Sequence, residues 1–379
     1  MKKIGIISLF DISNMNYGNR LQTYALNKYL RNKFLTYDIE SLYFCNIKRN
    51  IKNNNRLTFY INKIPRIYYK LNEIISKKFI LKNRLKKCNI FSEQNIKLCI
   101  KPLTYNDLVE SNYDAFIVGS DIVWGQSKYN FSKERFLDFK TKKHFKRISY
   151  AASFGRDWIP KENIANVARC LKKFQKISVR ENSSIQLLNR IGIDNAVHTL
   201  DPTLLLSAND WQKIERKPEM VTEKFIFVYF LGKSKTDRKN ITLFAKKNNL
   251  KIITIPYACG EFNWCDIKFG DIRLLNCSPE EWVWLIHNAE YIITDSFHGT
   301  VFSTIFQKRF IVLERKFVEN INNRMIDYLK TIKESDKMIN SSQLNLVKTF
   351  NWDYEKINKL LKVKIEFSKD FLNNALREI

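Results

Sequence analysis

The chain of 379 residues has little glycine (10) and little proline (7), which excludes collagen-like and loop-dominated sequences. It has no long hydrophobic run. The longest, Phe225 to Leu231, has seven residues, far short of the roughly 18 that cross a bilayer. The start, Lys2-Lys3 followed by Ile4 to Phe10, has the outline of a secretory leader, but its apolar part stops at Asp11 and no small-residue cleavage site follows. It therefore reads as the first buried strand of a cytoplasmic protein. The seven cysteines form no CxxC pair and no metal-like spacing. An odd, scattered set suits a reducing compartment, with thiols serving as small buried hydrophobes and no metal expected. Acidic residues are in deficit: 38 Asp+Glu stand against 65 Lys+Arg, a net charge of +27. That balance expects an acidic partner, whether nucleic acid, an anionic membrane surface or a phosphorylated ligand.

What is present is a packed globular sequence, 45 % apolar and 27 % charged, with a length that suits two domains. Short apolar runs alternate with helix-length amphipathic stretches, the pattern of an α/β fold. Strands are predicted at 3–9, 115–118, 148–152, 176–179, 225–230, 251–255, 291–294 and 310–313, and helices at 19–33, 161–174, 181–191, 237–248 and 278–288. Several strands are almost wholly apolar, as central parallel strands covered on both faces are. The expected organisation is a first half over 1–205, a linker over 206–224, a second half over 225–340 and a helical tail over 341–379.

Residues 45–90 stand apart. They carry thirteen Lys/Arg and one acid, Glu73, interleaved with Phe59, Tyr60, Tyr68, Tyr69, Phe79 and several isoleucines. A basic helix with an apolar side suits peripheral contact with an anionic inner membrane, and equally a helical insertion packed on its domain with solvated charges. Nucleic acid is disfavoured as a partner because no reading motif accompanies the charge.

In open α/β sheets ligands bind beyond the carboxyl ends of strands, and five strand ends here finish in polar or glycine-bearing turns. Asn16-Tyr17-Gly18-Asn19 lies between the first strand and its helix, whose free N–H groups suit an anion. It is neither a dinucleotide nor a P-loop fingerprint. Gly119-Ser120-Asp121 puts Asp121 at a strand end, as a general base or as an ordinary turn residue. Ser149 to Gly155, with Ser153, is a small-residue strand end that a ligand can approach closely. Ser178-Val179-Arg180-Glu181 delivers Arg180 either to a phosphate or carboxylate or to a structural ion pair. Leu200-Asp201-Pro202-Thr203 reads as a turn closing the first half. The sharpest corner is Thr294-Asp295-Ser296-Phe297-His298-Gly299, where one of four histidines sits between strand and helix among small polar residues. A histidine there can hold an anion or give up a proton near neutral pH.

Taken in order, the stretches Asn16 to Leu26, Gly119 to Trp124, Ser149 to Gly155, Ser178 to Glu181, Leu200 to Thr203, Thr294 to Thr300, Asn323-Arg324 and the tail from Trp352 resemble the polysaccharide pyruvyl transferase family. The resemblance spans almost the whole chain except 45–90. It implies two Rossmann-like domains arranged as in GT-B glycosyltransferases, with the C-terminal helix packing back across them and the active site in the cleft. It further implies transfer of pyruvate from phosphoenolpyruvate (PEP) to hydroxyls of a cell-surface glycan precursor, free or lipid-linked, as a ketal, with phosphate release. PEP is the donor substrate and no cofactor is implied. By the same resemblance Arg180 holds the donor's carboxylate or phosphate and His298 protonates its methylene carbon. Asp121 as base is a reading of its position alone.

The sequence departs from the family at the histidine corner. Members read Ser-Arg-Leu-His-Gly where this chain reads Asp295-Ser296-Phe297-His298-Gly299. Ser296 thus stands where an arginine helps bind the donor. That leaves the contact to another cation, Arg324 or Lys233, or leaves room for another donor, as in a GT-B glycosyltransferase using a nucleotide sugar.

Overall fold

The computed structural model describes residues 1–44, 81–125, 131–315, 322–377 and 379. They build two six-stranded parallel sheets. In the first the strands are β1 (Lys2–Ile7), β2 (Tyr37–Leu42), β3 (Ala115–Val118), β4 (Lys146–Ala152), β5 (Lys176–Val179) and β6 (Ala196–His198), in spatial order β2-β1-β3-β4-β5-β6. In the second they are β7 (Phe225–Tyr229), β8 (Lys251–Thr254), β9 (Ile272–Arg273), β10 (Tyr291–Thr294), β11 (Arg309–Leu313) and β12 (Met338–Ile339), in order β12-β11-β10-β7-β8-β9. Ala115-Phe-Ile-Val and Phe225-Ile-Phe-Val-Tyr are buried along their whole length, because central parallel strands meet helices on both faces.

The helices that concern the cleft are α1 (Tyr17–Lys33), α2 (Lys82–Asn95) and α3 (Asn182–Asn189) in the first half, and α4 (Pro279–Asn288), α5 (Phe297–Ile305) and α6 (Asn323–Ile332) in the second. α3 and α5 start three positions beyond the carboxyl ends of β5 and β10, and α1 follows β1 after a nine-residue loop, so their first turns gather at one edge of each sheet. The start of α4 is fixed locally. Ser278 caps the helix by accepting from Glu281 N, Glu281 reciprocates to Ser278 N, and Pro279 sits at the first position. The last helix, α7 (Tyr354–Arg377), spans both halves. Its Ile357 and Leu361 join the core that includes the second sheet's Phe225 and Phe227, while Leu372, Ala375 and Leu376 pack on Ile4, Ile6 and Ile148 of the first sheet.

The segment between the sheets, 206–224, holds a short helix, Ala208–Gln212, capped by Ser207 and Asp210. Its Trp211 is fully buried against Tyr24 of the first half and Phe302 of the second. Most of the basic stretch, 45–80, lies outside the described residues. Its remainder runs into α2, whose buried Arg84 donates to the carbonyls of Pro256, Tyr257 and Leu275 in the second half. A buried guanidinium that spends its donors on three carbonyls fastens the halves together, since losing them would strand a charge. No helix among the described residues is long and apolar enough to cross a membrane.

Candidate active site in the cleft

The carboxyl edges of the two sheets face each other, and five side chains meet there. His298 enters from α5 of the second half, and Arg324 from α6. Asp121, Arg180 and Asp201 come from the ends of β3 and β5 and the turn after β6. They form one chain of charges. His298 Nε2 stands 3.7 Å from Asp201 Oδ2, and Arg180 Nη1 donates to the same oxygen at 3.0 Å. Arg180 Nη2 reaches Asp121 Oδ1 at 3.5 Å, and Arg324 Nη1 stands 3.6 Å from that oxygen. All five are buried or nearly so.

Each member is oriented by its neighbours. Asp201 accepts from Ser120 Oγ at 3.0 Å, and from Thr203 through both its N–H (3.1 Å) and its hydroxyl (2.8 Å). Burial alone would raise its carboxyl's pKa, but His298, Arg180 and the Thr203 amide overturn that and hold it well below the usual range. Asp121 adopts a left-handed backbone, φ 66°, and accepts from Asn19 Nδ2 at 3.0 Å. Burial again opposes its charge, and Arg180, His298, Arg324 and Asn19 together keep it lowered. Arg180 is saturated. Besides the two aspartates it pairs with Glu181 at 2.9 Å, and its guanidinium lies 4.2 Å from the Phe297 ring centroid, next to His298 in sequence. Burial would lower its pKa, and the three carboxylates raise it instead. His198 Nε2 bonds the Arg180 carbonyl and stays outside the cluster.

Two buried nitrogens in this cluster, His298 Nε2 and Arg324 Nε, have no hydrogen-bond partner among the described residues. A buried donor without an acceptor costs about 1–3 kcal/mol, more where the group is charged. Arg324 is the least settled of the arginines. Burial, then repulsion from Arg180, lowers its pKa to about 10 against the partial help of Asp121 and Glu181.

The other residues singled out in the sequence take supporting positions. Asn16 caps α1 by accepting from Asn19 N. Gly18, in the first turn of α1, packs directly against the His298 ring. Ser153 Oγ accepts from Gly155 N and shapes the turn after β4. Ser296 is the cap of α5, its hydroxyl accepting from Gly299 N at 3.4 Å. Gly299 has no room for a side chain against Thr294. Lys233 is turned away from the cluster. It pairs with Glu261 at 3.1 Å and lines a separate cavity of about 550 Å³ with Leu231, Ser234, Lys235 and Arg315.

Asp201, read from the sequence as a closing turn, is instead the hub of the cluster. Its turn role is real, since one oxygen caps Thr203, but the other faces Arg180 and His298. Asp295 was also missed. Its two oxygens accept from the Leu231 and Gly232 amides, both at 2.7 Å, and Arg315 donates to its carbonyl. The loop after β7 is thereby pinned to the histidine corner.

A family model described as polysaccharide pyruvyl transferase matches residues 16–316. Among solved structures, UDP-GlcNAc 2-epimerase of Neisseria meningitidis, bound to UDP-GlcNAc, is 12% identical with a TM-score of 0.51, covering 100% of both chains. MurG of Acinetobacter baumannii is a fainter likeness at 9% identity and a TM-score of 0.42, again over 100% of both. Heptosyltransferase WaaC of E. coli is 10% identical with a TM-score of 0.39, covering 84% of this chain and 91% of that one. The chain shares the GT-B fold with the epimerase. No curated protein matches it.

Proposed function

The chain belongs to the polysaccharide pyruvyl transferase family, and on that premise we propose that it moves pyruvate from PEP onto two hydroxyls of a glycan precursor as a cyclic ketal. The observation that carries the reading is the pair of buried nitrogens without a hydrogen bond among the described residues, His298 Nε2 and Arg324 Nε, at the two ends of one charge cluster. A proton donor and an anion-binding cation are what this chemistry needs.

In this reading Arg324 takes the donor's carboxylate or phosphate. Elimination supports it. Arg180 is already committed to three carboxylates, Arg315 to the Asp295 carbonyl, and Lys233 faces Glu261. Arg180 then acts as a positioning residue, joining Asp201 to Asp121. Ser296 loses its expected part in donor contact and keeps a structural one, as the cap of α5.

His298 gives a proton to the methylene carbon of PEP, which becomes a methyl group and leaves C2 an electrophile stabilised by its oxygen. A sugar hydroxyl adds to C2 and loses its proton. Asp121 receives it: an oxygen bonded to so electron-poor a carbon is a strong acid, so even a carboxylate of lowered pKa suffices. The second hydroxyl attacks C2, phosphate leaves with the C–O bond electrons and takes that hydroxyl's proton, and the ring closes. Asp201 Oδ2, 3.7 Å from Nε2, faces the imidazole from the first half and holds its orientation toward the cleft.

A second reading, a nucleotide-sugar glycosyltransferase, is favoured by the cavity beside Lys233, Lys235 and Arg315 at the carboxyl edge of the second sheet. Ligand stabilisation separates the two. PEP at a hundred times its Kd should stabilise the fold by about 2.7 kcal/mol, and Arg324→Ala should abolish that gain. Stabilisation by a nucleoside diphosphate and none by PEP would favour the second reading.

A further inference from the structure

On the first half, away from the cleft, the amino end of β4 borders a cavity of about 770 Å³. The segment Phe139-Lys140-Thr141-Lys142-Lys143-His144-Phe145-Lys146-Arg147 carries five cations and no carboxylate, and its Lys140, Lys143 and Arg147 line one wall. Arg169 and Lys173 close the other side. Phe139 and Phe145 are buried beneath, and the Arg147 guanidinium lies 4.1 Å from the Phe145 ring centroid.

Glu110 pairs with Lys142 at 2.6 Å, outside the cavity lining, and the acids beside the remaining cations do not balance them, because each is shared. Asp138 takes a two-pronged contact from Arg169 (2.9 and 2.7 Å) and also Lys173 at 3.3 Å. Asp114 takes Lys143 at 2.6 Å and Lys2 at 3.9 Å. Arg147 directs its donors to the backbone carbonyls of Leu137 and Phe139, at 3.2 and 3.0 Å, which offset none of its charge. Lys140 has no partner among the described residues. Several positive charges thus converge on one concave surface with two carboxylates between them. A field of one sign focused in a concavity gathers anions, and a single carboxylate ligand would leave most of this excess in place.

We propose that this cavity is a second anion site that takes phosphate groups, separate from the catalytic cleft. Phosphate is the chemical class because it brings close to two negative charges and several acceptor oxygens to one point. The same chemistry is offered by a free diphosphate and by the headgroups of an anionic bilayer, where each lysine near the surface contributes binding. The inference is independent of the donor assigned to the cleft.

The test uses the full chain and the triple variant Lys140→Ala/Lys143→Ala/Lys173→Ala, whose side chains are exposed and whose loss should leave the fold intact. Inorganic pyrophosphate is titrated calorimetrically, and flotation with phosphatidylglycerol vesicles is measured alongside. Arg324→Ala serves as the control for binding in the cleft. Affinity for at least one probe should fall by roughly a hundredfold in the triple variant, at about tenfold or less per lysine, and stay unchanged in Arg324→Ala. Loss for vesicles alone identifies the lipid headgroup as the source, and loss for pyrophosphate alone identifies a soluble phosphate. If neither probe binds the full chain, or the triple variant binds both as well as the full chain does, the site is refuted.

Discussion

Gly18 and His298 touch across the two halves of the molecule. A Cβ added at Gly18 would lie 2.1 Å from His298 Nδ1 and 2.4 Å from its Cγ, well inside any tolerated contact. The first turn of α1 therefore reaches the imidazole only because residue 18 has no side chain. With Asp201 on the Nε2 side, the ring is held between two elements of the first half although it belongs to the second. Gly18→Ala should displace it. Since a shift of about 1 Å near the chemistry costs on the order of 10²-fold, kcat should fall by about that factor. The overpacking should also destabilise the fold by about 1–3 kcal/mol. Urea unfolding of Gly18→Ala, alone and combined with His298→Ala, checks the contact. The glycine substitution should cost less when the imidazole is gone, and equal costs would mean that the two residues are not coupled.

Arg324→Ala should act on the donor. Losing a charged hydrogen bond of about 1.5–3 kcal/mol raises the KM for PEP by roughly 10- to 150-fold, with a smaller effect on the acceptor KM. Initial rates over a matrix of donor and acceptor concentrations measure both. A rise confined to the acceptor would move Arg324 out of the donor site.

Ser296→Ala separates the family's usual arginine position from its role in this chain. Removing the cap of α5 should cost about 1 kcal/mol of stability and leave the KM for PEP unchanged, as thermal unfolding and the same rate matrix would report. A large rise in donor KM would return Ser296 to the binding site.

Asp201 ties stability to acid pH. Its folded carboxyl lies below its unfolded value near 3.9. The stabilisation is therefore fully present above that value and lost as pH falls toward the folded one. Asp121 contributes with the same sign. Urea unfolding between pH 5 and pH 3 should lose free energy more steeply in the wild type than in Asp201→Asn, which retains only the slope from other carboxylates. Parallel slopes in the two proteins would contradict the assignment.

The central strands were legible because their residues leave one option. Ala115-Phe-Ile-Val and Tyr291-Ile-Ile-Thr are apolar runs bounded by turn residues, and the structure begins and ends them where the sequence does. The strands passed over, β2, β6, β9 and β12, are flanking or outer ones. Tyr37-Asp-Ile-Glu-Ser-Leu mixes charge with apolar residues, and β9 and β12 have two residues each, too short for a period to register. The cluster was legible at His298, Arg180 and Asp121 because strand ends collect ligands. Asp201 hid behind its own cap, since Asp-Pro-Thr is also the ordinary start of a helical turn. Nor could sequence rank the arginines. Arg180 and Arg324 look alike as letters, and only the three carboxylates around the first separate a saturated guanidinium from an unsatisfied one.

The central claim is tested most directly by incubating the purified chain with PEP and a set of nitrophenyl and lipid-linked sugars, then following acceptor mass and phosphate together. Proton transfer to PEP followed by ketal closure adds the elements of pyruvate less water, a gain of about 70 mass units with one phosphate released per ketal. His298→Ala should show neither. A chain that leaves PEP untouched but transfers sugar from a nucleotide sugar would keep the fold described above and contradict the reaction.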